Sequence, residues 1–227
     1  MALAALLARA AAVAQEPDAP TSAAVSEPEA IHLLRQLEAR HVDHRRVAGK
    51  FGQVRHDPVF LEDIHSSGSF YYERPNRFWC AYDEPDASSH TVIGEQITSF
   101  YPKFRRIERS RLREGGSGIG DVNCLMLAFG IEAERILRHF VVTTEPMPLP
   151  SEVQLTFVPR GPPEEWPFAA LRLVLTWRDQ QPQALEIVGA EGDWTRLSIE
   201  EIVWNPLEQP ARFRLQFPRE FEIIDRD

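Results

Sequence analysis

The chain has 227 residues, of which 43% are hydrophobic and 26% charged, and its formal net charge is −9 at pH 7. This composition is typical of a globular domain and excludes disorder along the whole chain. It also excludes a membrane-spanning protein, because no run of about 20 apolar residues occurs. The acidic balance argues against nucleic acid as a partner, because phosphate binding requires a basic surface.

The N-terminal residues have features of an export signal. An Ala-Val-Ala sequence ending at residue 14 has the form of a signal-peptidase site before Gln15, and Arg9 interrupts the apolar stretch. We predict that residues 1–14 are the remnant of a signal peptide; an Ala-rich tail is the alternative. Residues 15–27 are rich in Pro, Ala, Ser and acidic side chains and are interpreted as a flexible leader, which leaves residues 28–227 as one domain.

A helix is predicted at the start of this domain, over residues 29–47. The sequence Ser-Glu-Pro-Glu at residues 26–29 is a capping box with proline in the first turn, and apolar residues follow near a 3.6-residue spacing up to Gly49. His41 and His44 are spaced i, i+3 on this helix, as two metal ligands would be. No third ligand lies at a suitable spacing, so we interpret them as part of a solvated face.

From about residue 51 the apolar period changes to two, which predicts strands joined by short turns and therefore antiparallel hairpins. The strand-like runs are residues 51–56, 66–74, 77–82, 91–93, 96–101 and 104–112. Basic residues occupy alternate positions in and beside the last run: Lys103, Arg105, Arg109, Arg111 and Arg113. They indicate either a docking strip for an acidic partner or phosphate headgroup, or a solvated outer face.

A glycine-rich link at residues 115–120 leads into a helical insertion. The link lacks the residues of a P-loop, a dinucleotide fingerprint and a nucleophile elbow, so we interpret it as a hinge. Helical spacing then covers residues 121–138 with a break at Gly130. Alternation returns afterwards, and it predicts strands at residues 153–159, 171–177, 184–188, 194–199, 202–204, 212–217 and 221–224.

Segregated helical and strand segments predict an α+β fold with one antiparallel sheet of about eleven strands, and a twisted sheet of that size curls. A concave apolar face would then need a cover. The candidates for lining it are Phe70, Tyr72, Leu125, Phe129, Leu155, Phe157, Leu173, Leu175 and Trp177. Cys80 and Cys124 are interpreted either as a disulfide or as two buried thiols. We find no catalytic constellation and expect no enzyme, metal or cofactor.

Residues 68–79, Gly-Ser-Phe-Tyr-Tyr-Glu-Arg-Pro-Asn-Arg-Phe-Trp, resemble the G-x-F-x-x-x-R-P-N-x-F-x-W segment of the LolA family of periplasmic outer-membrane lipoprotein carriers. The context agrees: Phe51-x-Gln53 precedes the segment, a Glu-Pro turn at residues 84–85 follows it, and Asn205-Pro206 and an F-x-L-x-F run lie near the C-terminus. The resemblance covers roughly residues 28–227.

This resemblance implies an incomplete, unclosed β-barrel of about eleven antiparallel strands with a helical lid over the concave face. It implies a monomeric periplasmic carrier that shields lipoprotein acyl chains, takes them from an inner-membrane lipoprotein-release transporter and gives them to an outer-membrane acceptor. The arginine of the family's Arg-Pro-Asn motif, here Arg74, is expected to bond to lid backbone as a latch. A lipid- or lipoprotein-sensing regulatory module of the same fold, similar to RseB and MucB, is the alternative.

Overall fold

The computed structural model describes residues 27–59, 62–111, 128–215, 217–218 and 220–226. Two α-helices lie wholly within these ranges, α1 (Glu27–His41) and α2 (Ala133–His139), and Ala128 and Phe129 are also helical. The strands are β1 (Arg46–Asp57), β2 (Glu62–Glu73), β3 (Arg77–Tyr82), β4 (Ser88–Ile93), β5 (Gln96–Tyr101), β6 (Arg106–Arg111), β7 (Phe140–Pro146), β8 (Glu152–Pro159), β9 (Ala170–Thr176), β10 (Pro182–Val188), β11 (Trp194–Trp204) and β12 (Glu222–Asp225).

All the strands of the described ranges belong to one unclosed sheet of 12 strands, in the order β12-β6-β5-β4-β3-β2-β1-β11-β10-β9-β8-β7. Most neighbours in sequence pair through short turns, and β1 joins the two halves by pairing with both β2 and β11. Every pairing is antiparallel except that of β12 with β6, which is parallel. The predicted α+β fold with an unclosed, largely antiparallel sheet is confirmed.

One face of the sheet, here called the inner face, carries the apolar core. Helix α1 lies over this face, because its apolar positions recur every three or four residues and all point one way: Ala30, Leu33, Leu34 and Leu37 are buried. Residues 128–139, here called the cover, contribute Ala128, Phe129, Ile131, Ala133 and Ile136 to the same core. The predicted placement of helical segments on one face of the sheet therefore holds for α1 and for the cover.

Three local expectations are wrong. The first helix ends at His41 rather than near residue 47, and Val42 is 62% exposed. The described residues of the predicted strand 212–217 are not extended, because Phe213 ends a 3₁₀ turn and its ring packs against Tyr71 on the outer face. The basic residues around position 105 do not share one strand face, since a 3₁₀ turn and a left-handed Arg105 precede β6. The strand β7 was not predicted from the sequence.

Several sequence predictions fall outside the described residues. The signal-peptide remnant, most of the leader, the glycine-rich link and the start of the helical insertion lie in residues 1–26 and 112–127. Cys80 is buried in β3, whereas Cys124 is in the second of these ranges. Neither described helix has the length and apolarity that a bilayer-spanning segment needs.

Gly68 occupies a position in β2 that no larger residue fits. A Cβ there would collide with the Ala81 carbonyl oxygen and lie 2.7 Å from the Phe51 ring. We expect Gly68→Ala to lower the free energy of unfolding by about 1–3 kcal/mol, because overpacking forces core shifts. Urea denaturation measures this. Gly52→Ala is the matched control, since its Cβ would meet only the movable Glu200 carboxylate; equal stabilities of the two variants would contradict the prediction.

Candidate functional site

The predicted apolar residues of the strands lie together on the inner face. Each is at most 1% exposed, and all belong to one buried cluster: Phe70, Tyr72, Leu155, Phe157, Leu173 and Leu175. The register explains this arrangement, because Leu155 of β8 lies opposite Leu173 of β9 and the inner positions recur every second residue. Their part in binding a ligand stays a prediction.

Trp177 does not lie on the inner face with Leu175, so the prediction that it lines this face is wrong. Strand β9 ends at Thr176, and the indole of Trp177 is 55% exposed. The alternation that placed Trp177 with Leu175 applies only while the backbone remains extended, and here the chain turns towards β10. Leu125, the other predicted residue of the insertion, lies outside the described residues.

Phe129 packs the cover against the sheet. Its side chain is 1% exposed, its ring stacks on Phe70 at a centroid distance of 5.1 Å, and it meets Trp204 edge-on at 6.0 Å. The predicted helix break at Gly130 follows directly, and α2 begins three residues later. Phe129 is thus held between a residue of β2 and the last residue of β11.

Arg74 joins the end of β2 to the cover. Its Nη2 donates a hydrogen bond to the carbonyl oxygen of Phe129 at 3.1 Å, and its backbone N–H donates to the Arg45 carbonyl at 2.9 Å. The buried Nε of Arg74 has no hydrogen-bond partner among the described residues. This charge-assisted hydrogen bond from Arg74 to one backbone carbonyl can restrain the cover. The role of Arg74 as a latch stays a prediction.

His41 lies beside Arg74 and was not predicted as a site residue. It is 4% exposed at the end of α1, and its ring packs against Trp204 at 5.2 Å. Burial, with the charge of Arg74 and smaller contributions from His44 and Arg40, lowers the pKa of His41 to about 4. The expectation that His41 lies on a solvated face is therefore wrong, and no metal-binding group of three or more ligands occurs among the described residues.

Asn205 positions this end of the sheet. Its side-chain Oδ1 accepts hydrogen bonds from the backbone N–H groups of Arg45 and Arg46, at 2.9 and 3.3 Å. The backbone of Asn205 is left-handed, with φ of 49°, a conformation that asparagine tolerates better than most residues. Sequence reasoning noted the Asn-Pro pair but could not assign this role, because the partners lie about 160 residues away.

Known proteins share both the sequence pattern and the fold. An outer-membrane lipoprotein carrier protein of Halorhodospira halophila is 28% identical over 194 residues, which is 86% of each chain. A protein of the same name from Alkalilimnicola ehrlichii is 28% identical over 188 residues, 82% of this chain and 81% of its own. The chain is similar to outer-membrane lipoprotein carrier proteins over most of its length. The resemblance found in the Arg-Pro-Asn segment is thereby confirmed.

The fold of this chain also occurs in a solved structure. An uncharacterised conserved protein of Thermus thermophilus matches 87% of this chain and 99% of its own, with a TM-score of 0.52 and 12% sequence identity. At that identity the likeness concerns the fold alone. No family model matches the chain.

Proposed function

We propose that this LolA-like chain is a non-enzymatic carrier that works as a monomer in the periplasm. In this proposal it shields the acyl chains of a lipoprotein, or of a related lipid, against its inner face. An inner-membrane lipoprotein-release transporter and an outer-membrane acceptor are its proposed partners. The observation that carries the proposal is the apolar inner face, which is closed by a cover bonded to the sheet through Arg74 and Phe129. Two curated relatives named as outer-membrane lipoprotein carriers support it.

The packing of the cover indicates how such a carrier works. In the closed structure the inner face is filled, with Leu155, Leu173 and Leu175 fully buried. Acyl chains reach these residues only when the cover leaves, so the ligand and the cover compete for the same apolar surface. Both are apolar, which means that either can occupy the face without leaving it exposed to water.

This competition gives a carrier reversible affinity. Each buried CH₂ of an acyl chain contributes about 0.8 kcal/mol, so several long chains would bind too tightly to be handed on. Displacing the buried Phe129, Ile131 and Ile136 costs free energy that is subtracted from ligand binding. The net affinity is then a small difference between two large contributions.

Export is a separate part of the proposal and has its own test. Cleavage after the Ala-Val-Ala sequence would leave a mature chain that begins at Gln15. Cell fractionation followed by mass spectrometry of the intact protein measures this. A cytoplasmic protein that retains residues 1–14 would contradict it.

The carrier function is tested by a two-step transfer assay. Donor vesicles carry a synthetic triacylated lipopeptide with a fluorescent label; the purified chain is added, isolated from them, and mixed with acceptor vesicles. We expect a soluble complex after the first step and labelled acceptor vesicles after the second. Mass spectrometry of apolar material that co-purifies with the periplasmic protein identifies the natural cargo.

Two outcomes contradict the carrier function in different ways. If no soluble complex forms, the inner face does not shield acyl chains. If the complex forms but the lipopeptide never reaches acceptor vesicles, the chain binds without delivering, which is the behaviour of the sensing module.

We expect Arg74→Leu to remain folded and to load cargo but to deliver it poorly. Hydrogen bonds to charged groups contribute roughly 1.5–3 kcal/mol, so loss of the bond to Phe129 weakens the closed empty state and tightens cargo binding by about ten- to a hundredfold. Delivery slows accordingly. Arg74→Lys is expected to restore delivery only in part, because an ammonium lacks the planar guanidinium fork. The transfer assay measures both steps, and wild-type rates in both for Arg74→Leu would refute the latch.

A further inference from the structure

The inner face contains a polar zone as well as the apolar one. In β4, His90 shares the inner face with Val92, and in β5, Ser99 shares it with Ile97, because each pair is separated by two positions along a strand. The register places these residues opposite one another: His90 faces Ser99, and Val92 faces Ile97. We call this group the polar zone; its members are Gln53, Tyr82, Ser88, His90, Ser99 and Tyr101.

The polar zone is a connected network of hydrogen bonds and ring contacts. His90 is 7% exposed, and its Nδ1 and Nε2 lie 2.8 Å from Ser99 Oγ and 3.3 Å from Ser88 Oγ. The Tyr82 hydroxyl donates to Gln53 Oε1 at 2.7 Å. The rings of Tyr82 and Tyr101 meet the His90 ring edge-on, at 5.9 and 5.6 Å. Six side chains from four strands thus form one surface.

This surface is uncharged at neutral pH. Burial lowers the pKa of His90 to about 4 and raises the pKa of Tyr101, so imidazole and phenol stay neutral. The carboxylate of Glu108, which lies opposite Ser99 in the register, is neutralised by Arg106 and Arg226, each 2.9 Å from it. A neutral imidazole donates one hydrogen bond and accepts one. One of its two serine partners therefore accepts the imidazole N–H, and the hydroxyl proton of that serine can be donated to another group.

The zone lies beside the apolar face at a short and fixed distance. Along β4 and β5, a polar inner position and the neighbouring apolar inner position differ by two in residue number, which is about 7 Å along the strand. An acyl chain attached through an ester or amide has the same arrangement, with an uncharged carbonyl at the end of a hydrocarbon chain. A carboxylate would suit the zone badly, because the neighbouring arginines are already paired with Glu108.

We propose that the polar zone is a subsite for the uncharged ester and amide linkages of an acylated ligand, with the acyl chains extending over Phe78, Val92 and Ile97. This inference rests on the proposed carrier function and adds the part of the ligand that is recognised. The zone's hydroxyl and amide groups hydrogen-bond the linkage carbonyls once these leave water. The subsite therefore selects esters and amides over ethers and over free fatty acids.

The experiment tests the full-length protein with the two-chain diester dioleoylglycerol, its two-chain diether analogue dioleylglycerol, and single-chain oleate at neutral pH. Affinity is measured by displacement of a fluorescent acyl probe. We expect the diester to bind roughly tenfold more tightly than the diether, the difference expected for one or two hydrogen bonds. The double variant Ser88→Ala, Ser99→Ala should lose this preference and leave diether binding unchanged.

Ser89→Ala is the matched control, because Ser89 lies between Ser88 and His90 on the outer face of the same strand. It should keep the full preference for the diester. Equal binding of diester and diether by the wild-type chain, or an unchanged preference in the double variant, would overturn the subsite while leaving the carrier function standing. Failure to bind any of the three probes would overturn both proposals.

Discussion

Replacing Phe129 by alanine is expected to destabilise the packing of the cover by about 3–5 kcal/mol, the usual effect of removing a fully buried phenylalanine. The substitution removes the stack on Phe70 and the edge-on packing against Trp204. The carbonyl that Arg74 bonds is retained, so this variant tests packing separately from the latch. In the proposed carrier the cover opens while the sheet stays folded, so we expect the destabilisation to concentrate in the cover.

Hydrogen exchange measures where the destabilisation falls. Amide protection in α2 should fall by roughly a hundredfold or more in Phe129→Ala, with smaller changes in the strands of the sheet. Phe129→Leu, which keeps most of the apolar volume, should show a much smaller change. Unaltered protection of α2 in the alanine variant would show that Phe129 does not hold the cover.

Acidification is expected to destabilise the chain through His41 and His90. The pKa of each is lowered to about 4, chiefly by burial, from 6.5 in an unfolded chain. The unfolded state therefore binds more protons between these values. The free energy of unfolding is highest above pH 6.5 and falls as the pH drops toward 4. At about pH 5, each histidine should have lowered the free energy of unfolding by roughly 2 kcal/mol relative to about pH 7.5.

The two histidines differ in what protonation does locally. A proton on His41 adds a charge beside Arg74, with Arg40 and His44 also near, so acid should loosen this end of the cover. A proton on His90 breaks the acceptor side of its bonds to the two serines. Urea denaturation between about pH 5 and 7.5 measures both effects. His41→Phe and His90→Gln should each reduce the change in the free energy of unfolding over this pH range by about half.

His65 provides the control for this pH dependence. It is exposed on β2, so His65→Gln should leave the profile unchanged. A wild-type stability that is the same at both ends of this pH range would contradict the burial of both histidines in neutral form.

Several features of the fold follow from short-range pattern. The capping box at residues 26–29 predicts a helix start, and α1 begins at Glu27. Strict alternation in β8 and β9 predicts which residues share a face, and the predicted core residues of those strands are buried. These predictions succeed because the period of an extended strand and the cap of a helix are determined by neighbouring residues alone.

The places where prediction failed share a physical cause in distant partners. Helix α1 ends before Val42 as the chain turns towards β1, and the backbone N–H groups of Arg45 and Arg46 at this turn bond to Asn205. Phe213 leaves the extended conformation because Tyr71 offers its ring a place on the outer face. Trp177 falls outside the core because β9 stops one residue earlier than its alternating pattern.

The sequence by itself determined the alternating strands, the helical segments, the break at Gly130 and, through the Arg-Pro-Asn segment, the LolA-like resemblance. Only the tertiary structure decided that β1 lies between β2 and β11, that Phe129 supplies the carbonyl that accepts from Arg74, and that His41 is buried. The polar zone also belongs to this second group, because His90 and Ser99 become partners only through the β4–β5 register. Local periodicity assigns a residue to a face, but long-range packing selects what that face meets.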